Sequence, residues 1–108
     1  METSETFEEY QHAAFKYRVD SSTAEERVMG LLEEAGEVAG VFKRLLRGDF
    51  NADVAATKLH AELGDILWYL SQIAYDNGWR LSDIAKANID KLEGRQIRNT
   101  IMGAGDVR

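Results

Sequence analysis

The chain has 108 residues, 44% of them hydrophobic, and 19 acidic against 13 basic side chains give it a formal charge of −6. That length fits one domain with one core, and the acidic balance excludes a general nucleic-acid binder. The chain has no cysteine, which excludes disulfides and thiolate chemistry. His12 and His60 stand far apart without H-x-x-x-H spacing, which argues against zinc held by His and Cys. No apolar run approaches the ~20 residues of a membrane span, and no secretory pattern opens the chain. A soluble, cytoplasmic protein with no membrane partner is expected.

Four segments carry helical periodicity, and the absence of proline suits long helices. The first spans about 4–18, with Phe7, Tyr10, Ala14 and Tyr17 on one side. "DSSTAEE" then supplies a capping box, either Ser22 with Glu25 or Thr23 with Glu26. It opens a second helix over about 23–47, which stops at Gly48 as a C′ residue. "DFN" caps a third helix over about 52–77, ending before Gly78. Ser82 or Asp83 starts a fourth over about 82–99, and the tail from 100 is expected to be flexible. No strand pattern is present. The expected fold is all-α, a four-helix bundle forming a single domain.

"LLEEAGEVAG", residues 31–40, is built against helix stability. Each interior glycine costs about 1 kcal/mol relative to alanine, and like charges a turn apart repel. On a wheel of ~100° per residue, Leu31, Leu32, Ala35, Val38, Ala39, Phe42, Leu45 and Leu46 form one broad apolar stripe. Glu34 lies at its edge, Glu37 ~60° further round, and Glu33 further still. In the third helix Leu59, Leu63, Ile66, Leu67, Leu70, Ile73 and Ala74 form the stripe, with Glu62 at its edge and Asp65 beyond. The pattern E-x-x-E thus returns as E-x-x-D, 28 residues later. A short loop at Gly48 makes the two helices antiparallel, so the carboxylate pairs can converge. Four carboxylates at the rim of an apolar groove repel unless neutralised. Hard oxygen ligands without His or Cys suit Mg²⁺, or Mn²⁺ in its place. Iron is disfavoured, because a di-iron bundle would place His where Glu37 and Asp65 stand. Gly30, Gly36, Gly40 and Gly64 would admit a close backbone or ligand.

The fourth helix brings opposite charge. "NIDKLEGRQIRN" places Asn88, Lys91, Arg95 and Asn99 in one sector with Leu81, Ile84 and Leu92. Lys and Arg one turn apart beside a metal suit a polyphosphate. The plainer reading is surface charge paired with Asp90 or Glu93, just as E-x-x-E alone reads as a solvated helix face.

"EEAGEVAG" followed by "ELGDILWYL" resembles the MazG-type all-α nucleoside triphosphate pyrophosphohydrolases. Their pattern is E-E-x-x-E, a spacer, then E-x-x-D; here it is Glu33, Glu34, Glu37, 24 intervening residues, Glu62 and Asp65. "NIDKLEGR" is similar to the family's Asn-x-x-Lys-x-x-x-Arg element, and "EYQHAA" to its N-terminal helix, where Gln11 would sit. The resemblance covers about residues 7–95. It implies Mg²⁺-dependent hydrolysis of a (deoxy)nucleoside triphosphate to monophosphate and pyrophosphate. By motif, Glu34, Glu37, Glu62 and Asp65 would hold metal, Lys91 and Arg95 would bind phosphate, and Asn88 phosphate or sugar. Glu33 would orient or deprotonate the attacking water, and Tyr69 would touch the sugar. A single unit is expected, without the second domain copy of longer members. The family's aromatic after the first motif is replaced around Lys43 and Arg44. Phe7, Tyr10, Gln11 and Phe42 are then the candidates for a base pocket.

Trp68 and Tyr75 lie off the third helix's main stripe, on a second side, and Trp79 follows. A helix apolar on two sides is usually covered on two sides, so a homodimer or homotetramer is expected. The competing reading is a helical interaction or nucleotide-binding module without turnover.

Overall fold

A computed structural model describes residues 6–102, and among them there are four α-helices and no strand. Helix α1 spans Phe7–Phe15, α2 Ala24–Arg47, α3 Ala52–Asp76 and α4 Leu81–Met102. No described helix is long and apolar enough to cross a membrane. The start expected at residue 4 and the tail over 103–108 lie outside the described residues. Within them α1 is shorter than its periodicity suggests, ending at Phe15, while α4 is longer and runs to Met102.

The helix ends follow local chemistry. Thr6 caps α1 by accepting from the Glu9 amide at 3.1 Å, and Thr23 caps α2 by accepting from the Glu26 amide at 3.1 Å. Asn51 caps α3 by accepting from the Val54 amide at 2.9 Å. Each side-chain oxygen satisfies a first-turn amide that has no helical partner. Gly48 ends α2 at φ 86° and Gly78 follows α3 at φ 73°, left-handed conformations that a Cβ disfavours.

Helices α2 and α3 form an antiparallel hairpin, the most extensive helix pair in the molecule. One contact sets its register. The Gly30 backbone lies so close to the Tyr69 ring that a Cβ there would fall 2.3 Å from Tyr69 Cε1. The other glycines on the hairpin behave differently. Nothing stands within 4 Å of a Cβ built at Gly36 or Gly64, and at Gly40 only the Arg44 side chain comes near, at 3.7 Å.

Helix α1 packs on α3 through polar as well as apolar contacts. Ser71 and Gln72 are 0% exposed, the most buried side chains described. Gln11 donates to the carbonyls of Ser71 and Trp79 at 3.0 Å and accepts from the Leu81 amide at 3.0 Å, so one amide locks α1, the α3–α4 turn and the start of α4 together. Trp68 donates to the Ala14 carbonyl at 3.1 Å, and Phe15 stacks on Tyr75 with centroids 4.4 Å apart. Helix α1 of the same chain therefore covers part of the second apolar side of α3, shielding Trp68 while Tyr75 stays 48% exposed.

A buried ion-pair network fastens the other end. Arg27 donates from Nε to Asp76 Oδ2 at 2.7 Å and from a terminal nitrogen to Oδ1 at 2.8 Å; the two side chains are only 9% and 14% exposed. Arg18 donates to Asp76 at 2.8 Å and to the Gln72 side chain at 2.7 Å. Arg27's hydrogen bonds, then Arg18's, hold the Asp76 carboxyl below its ordinary range against the opposing effect of burial.

The four helices do not close into one bundle. Among the described residues α4 contacts α1 and α3 but not α2, and α1 does not contact α2. The radius of gyration is 17.4 Å, against about 13 Å for a compact chain of this length.

The glycines give a direct test of the hairpin. Gly64→Ala, in open space within a helix, should stabilise the protein by up to about 1 kcal/mol. Gly30→Ala should destabilise it, because the Tyr69 ring must leave its packed position. Thermal unfolding of both variants checks this; a Gly30→Ala protein as stable as Gly64→Ala would show that the close approach does not exist.

Candidate metal and nucleotide site

The register fixed at Gly30 and Tyr69 carries one turn further along the hairpin. Glu34 lies one turn after Gly30 on α2, and Asp65 one turn before Tyr69 on α3. Carboxylate oxygens of Glu34, Glu62 and Asp65 all lie within 4.8 Å of one another. Glu34 and Glu62 are half-buried and Asp65 is exposed. The two E-x-x-E/D motifs thus converge in space.

This cluster is electrostatically unfinished. Glu34 Oε2 and Glu62 Oε2 are buried with no hydrogen-bond partner. Such atoms cost free energy unless something outside the chain satisfies them. The Glu34 carboxyl is pushed up to about 7, first by a hydrogen bond with Glu62, then by burial and by the charges of Glu37, Asp65 and Glu62. Glu37 is exposed, yet Glu62 raises its carboxyl too, through a hydrogen bond and through charge. The orphaned oxygens, the crowding of charge and the all-oxygen donor set fit a hard divalent cation.

Other expected residues are placed less tightly. Glu33 is exposed, outside the three-residue cluster, and its charge contributes to the rise at Glu37. Tyr69 is half-buried, held between Gly30 and the edge of Trp68, whose ring centroid is 5.0 Å away. It also lines a cavity of about 270 Å³ with Val19, Arg27 and Trp68. Gln11 is buried with both ends of its amide engaged in the fold. Phe42 is exposed and lies on the side of α2 turned away from Glu37. On α4, Asn88 and Lys91 are exposed and Arg95 is half-buried. Asp90 pairs with Lys86 at 3.0 Å, one turn away.

One of the base-pocket candidates feels the charge of the cluster. Tyr10 of α1 is half-buried, and its hydroxyl is raised by burial and then by the charge of Asp65. The charge of the acidic groove therefore reaches a phenol on α1. Sequence periodicity marks Tyr10 as an inward residue but does not say which helix it meets.

Two antiparallel helices thus present carboxylates of their E-x-x-E and E-x-x-D motifs to one another in an all-α domain. The chain matches the profile of the MazG nucleotide pyrophosphohydrolase domain over residues 22–98, and it belongs to that family. It is similar to the Gene 37 protein of Mycobacterium phage L5, with 40% identity over 82 residues, covering 74% of this chain and 72% of that protein. No solved structure matches it.

The cluster predicts a pH dependence. Glu34 binds its proton more tightly in the folded state than in the unfolded chain, where its ordinary value is 4.5. Between that value and about 7 the folded state holds more protons, so metal-free stability falls as pH rises. The melting temperature of wild type should drop more steeply from about pH 5 to about pH 8 than that of Glu34→Gln. Parallel pH profiles for the two proteins would mean that the cluster carries no such repulsion.

Proposed function

We propose that the protein is a Mg²⁺-dependent nucleoside triphosphate pyrophosphohydrolase that converts a (deoxy)nucleoside triphosphate to its monophosphate and pyrophosphate, in the role of nucleotide-pool house-cleaning. The observation that carries this reading is the convergence of Glu34, Glu62 and Asp65 with two orphaned buried oxygens, in a chain of this family.

Glu34, Glu37, Glu62 and Asp65 would hold the metal, Mg²⁺ or Mn²⁺. Once bound it would neutralise triphosphate charge and lower the pKa of the attacking water. Glu33, exposed beside the groove, orients or deprotonates that water for attack at the α-phosphorus. Lys91 and Arg95 bind the outgoing phosphates, and Asn88 a phosphate or the sugar. Tyr69 supplies a ring edge to the sugar, beside the cavity it shares with Trp68 and Val19. Gln11 supports this arrangement through the fold, because it ties α4 to α1 and α3. Tyr10, which the charge of Asp65 reaches, joins the set that surrounds the nucleotide.

A panel of dNTPs and NTPs, incubated with Mg²⁺ in ¹⁸O-labelled water, tests the reading. Pyrophosphate and monophosphate should be the primary products, and one of them should carry the label. Orthophosphate as the primary product would place attack at the γ-phosphorus and overturn the proposal.

The roles on α4 separate by substitution. Lys91→Ala and Arg95→Ala should each lower kcat/KM by about 10- to 150-fold, the loss of one charged phosphate contact worth roughly 1.5–3 kcal/mol. Asp90→Ala and Glu93→Ala, which point away on the same helix, serve as controls and should remain near wild type. Equal activity across all four would remove α4 from the site.

A further inference from the structure

The acidic groove has two unlike ends. Across the hairpin Gly30 faces Tyr69, Glu34 faces Asp65, and Glu37 faces Glu62. Continued by one turn towards the Gly48 loop, the same antiparallel register sets Gly40 against Leu59, next to Lys58. Beyond the carboxylates in one direction lies the cavity of about 270 Å³ with Trp68 and Tyr69 in its wall. Beyond them in the other direction lie cations.

Arg44 stands within ~20° of both Glu33 and Glu37 on the α2 wheel, and Lys58 within ~40° of Glu62 and Asp65 on α3. Both therefore border the groove side of the hairpin. A helical side chain leans towards the N-terminus of its helix, so Arg44 leans back towards Glu37. Its guanidinium lies along the bare backbone of Gly40, with the terminal nitrogens 3.7 and 3.8 Å from where a Cβ would stand. That places it about 5 Å along the groove from the level of Glu37. Lys58 leans towards the loop, with its ammonium 5.6 Å from the centre of the Phe50 ring. Both cations are exposed, and among the described residues neither makes an ion pair, whereas Arg47 is neutralised by Asp49.

We infer that Arg44 and Lys58 take the terminal phosphates of the nucleotide, so that the substrate lies along the hairpin with its nucleoside at the Tyr69 end and its pyrophosphate leaving group towards the Gly48 loop. The inference rests on the nucleotide reading above and gives it a direction.

The order of the zones carries it first. Aromatic cavity, carboxylates and cations follow one another as base and sugar, metal-bound phosphate and terminal phosphates do in the substrate. The reverse placement would set the terminal phosphates against Trp68 and Tyr69, beside the carboxylate of Glu26 in the same cavity wall. Arg27, which also lines that cavity, is committed to Asp76 and cannot compensate. It would also leave two cations facing an uncharged base.

The free donors carry it next. Arg44 is one turn from a crowd of carboxylates and pairs with none of them, so its planar fork stays open to a phosphate. Lys58 is held only by an exposed cation–π contact, which is weak, and its flexible stem can leave the Phe50 ring for a phosphate. Position completes the argument. Among the described residues α4, which carries Lys91 and Arg95, contacts α3 and not α2. Arg44 therefore supplies the charge on the α2 wall of the groove.

Titration calorimetry of the full chain with magnesium pyrophosphate tests this without turnover, and inhibition of hydrolysis by each product adds a second readout. Arg44→Ala should weaken pyrophosphate binding by about 10-fold or more, the loss of one charged phosphate contact, and Arg44→Lys should restore part of it. Lys58→Ala should weaken it less. Neither substitution should change the affinity for the monophosphate product or the melting temperature, because both side chains are exposed. Lys43→Ala removes an equal charge that points ~100° away from Arg44 on the wheel, and should behave as wild type. An Arg44→Ala protein that binds magnesium pyrophosphate as tightly as wild type would overturn the inference. So would one that loses the monophosphate instead, or a wild type that binds no magnesium pyrophosphate. A wild type that hydrolyses no nucleotide, yet loses pyrophosphate on Arg44→Ala, would sink the hydrolase reading and keep the cationic end. Hydrolysis by wild type with unchanged pyrophosphate binding in Arg44→Ala would do the opposite.

Discussion

The close approach of α2 to α3 at Gly30 is the constraint from which the site follows. Because Gly30 has no side chain, the Tyr69 ring lies against the α2 backbone and fixes the height of one helix against the other. A slip of one residue would rotate every side chain by ~100° relative to its neighbour across the hairpin. With the register held, Glu34 meets Glu62 and Asp65 one turn away. The glycine is therefore an architectural requirement, whereas Gly36 and Gly64, with open space around them, are not.

The acidic groove works against the fold. The crowding of Glu34 against Glu62, Glu37 and Asp65, and two buried oxygens without partners, mean that the metal-free hairpin stores repulsion. Polar clamps elsewhere hold the helices in place. Gln11 ties three elements with one amide, and Asp76 gathers Arg18 and Arg27 where side chains are nearly dry. Removing one partner of such a shielded pair leaves the other charge without its counter-ion. The clamps lie towards the α3 C-terminus and the carboxylates lie nearer its middle, so the groove can keep its charge while the ends of the hairpin stay closed.

Much of this was legible in the sequence, and what was not has a physical cause. Thr23, Gly48 and Asn51 announce helix ends because capping is local. The convergence of Glu34 with Glu62 and Asp65 could be read because an antiparallel hairpin leaves few registers for two matched motifs. The broad apolar stripe on α2 could not be divided by periodicity. In the fold Leu31, Val38 and Leu45 are half-buried while Leu32, Phe42 and Leu46 stay exposed. Trp68 and Tyr75 signalled a second apolar side, but only the fold shows that α1 packs on it and leaves Tyr75 half exposed. The Arg27–Asp76 pair joins residues 49 positions apart; charge signs alone cannot select one such pair from many. Periodicity marks Tyr10 as inward, but that the charge of Asp65 reaches it is a long-range feature that no local pattern encodes.

The central claim is that the hairpin presents a preformed divalent-metal site. Titration of the nucleotide-free protein with Mn²⁺, followed by the electron paramagnetic resonance of the free ion, measures this directly. The account predicts saturable binding near neutral pH in wild type, together with a rise in melting temperature from mass action. Glu62→Gln should lose both and, with its repulsion relieved, be no less stable than the metal-free wild type. Equal Mn²⁺ binding by wild type and Glu62→Gln would contradict the account.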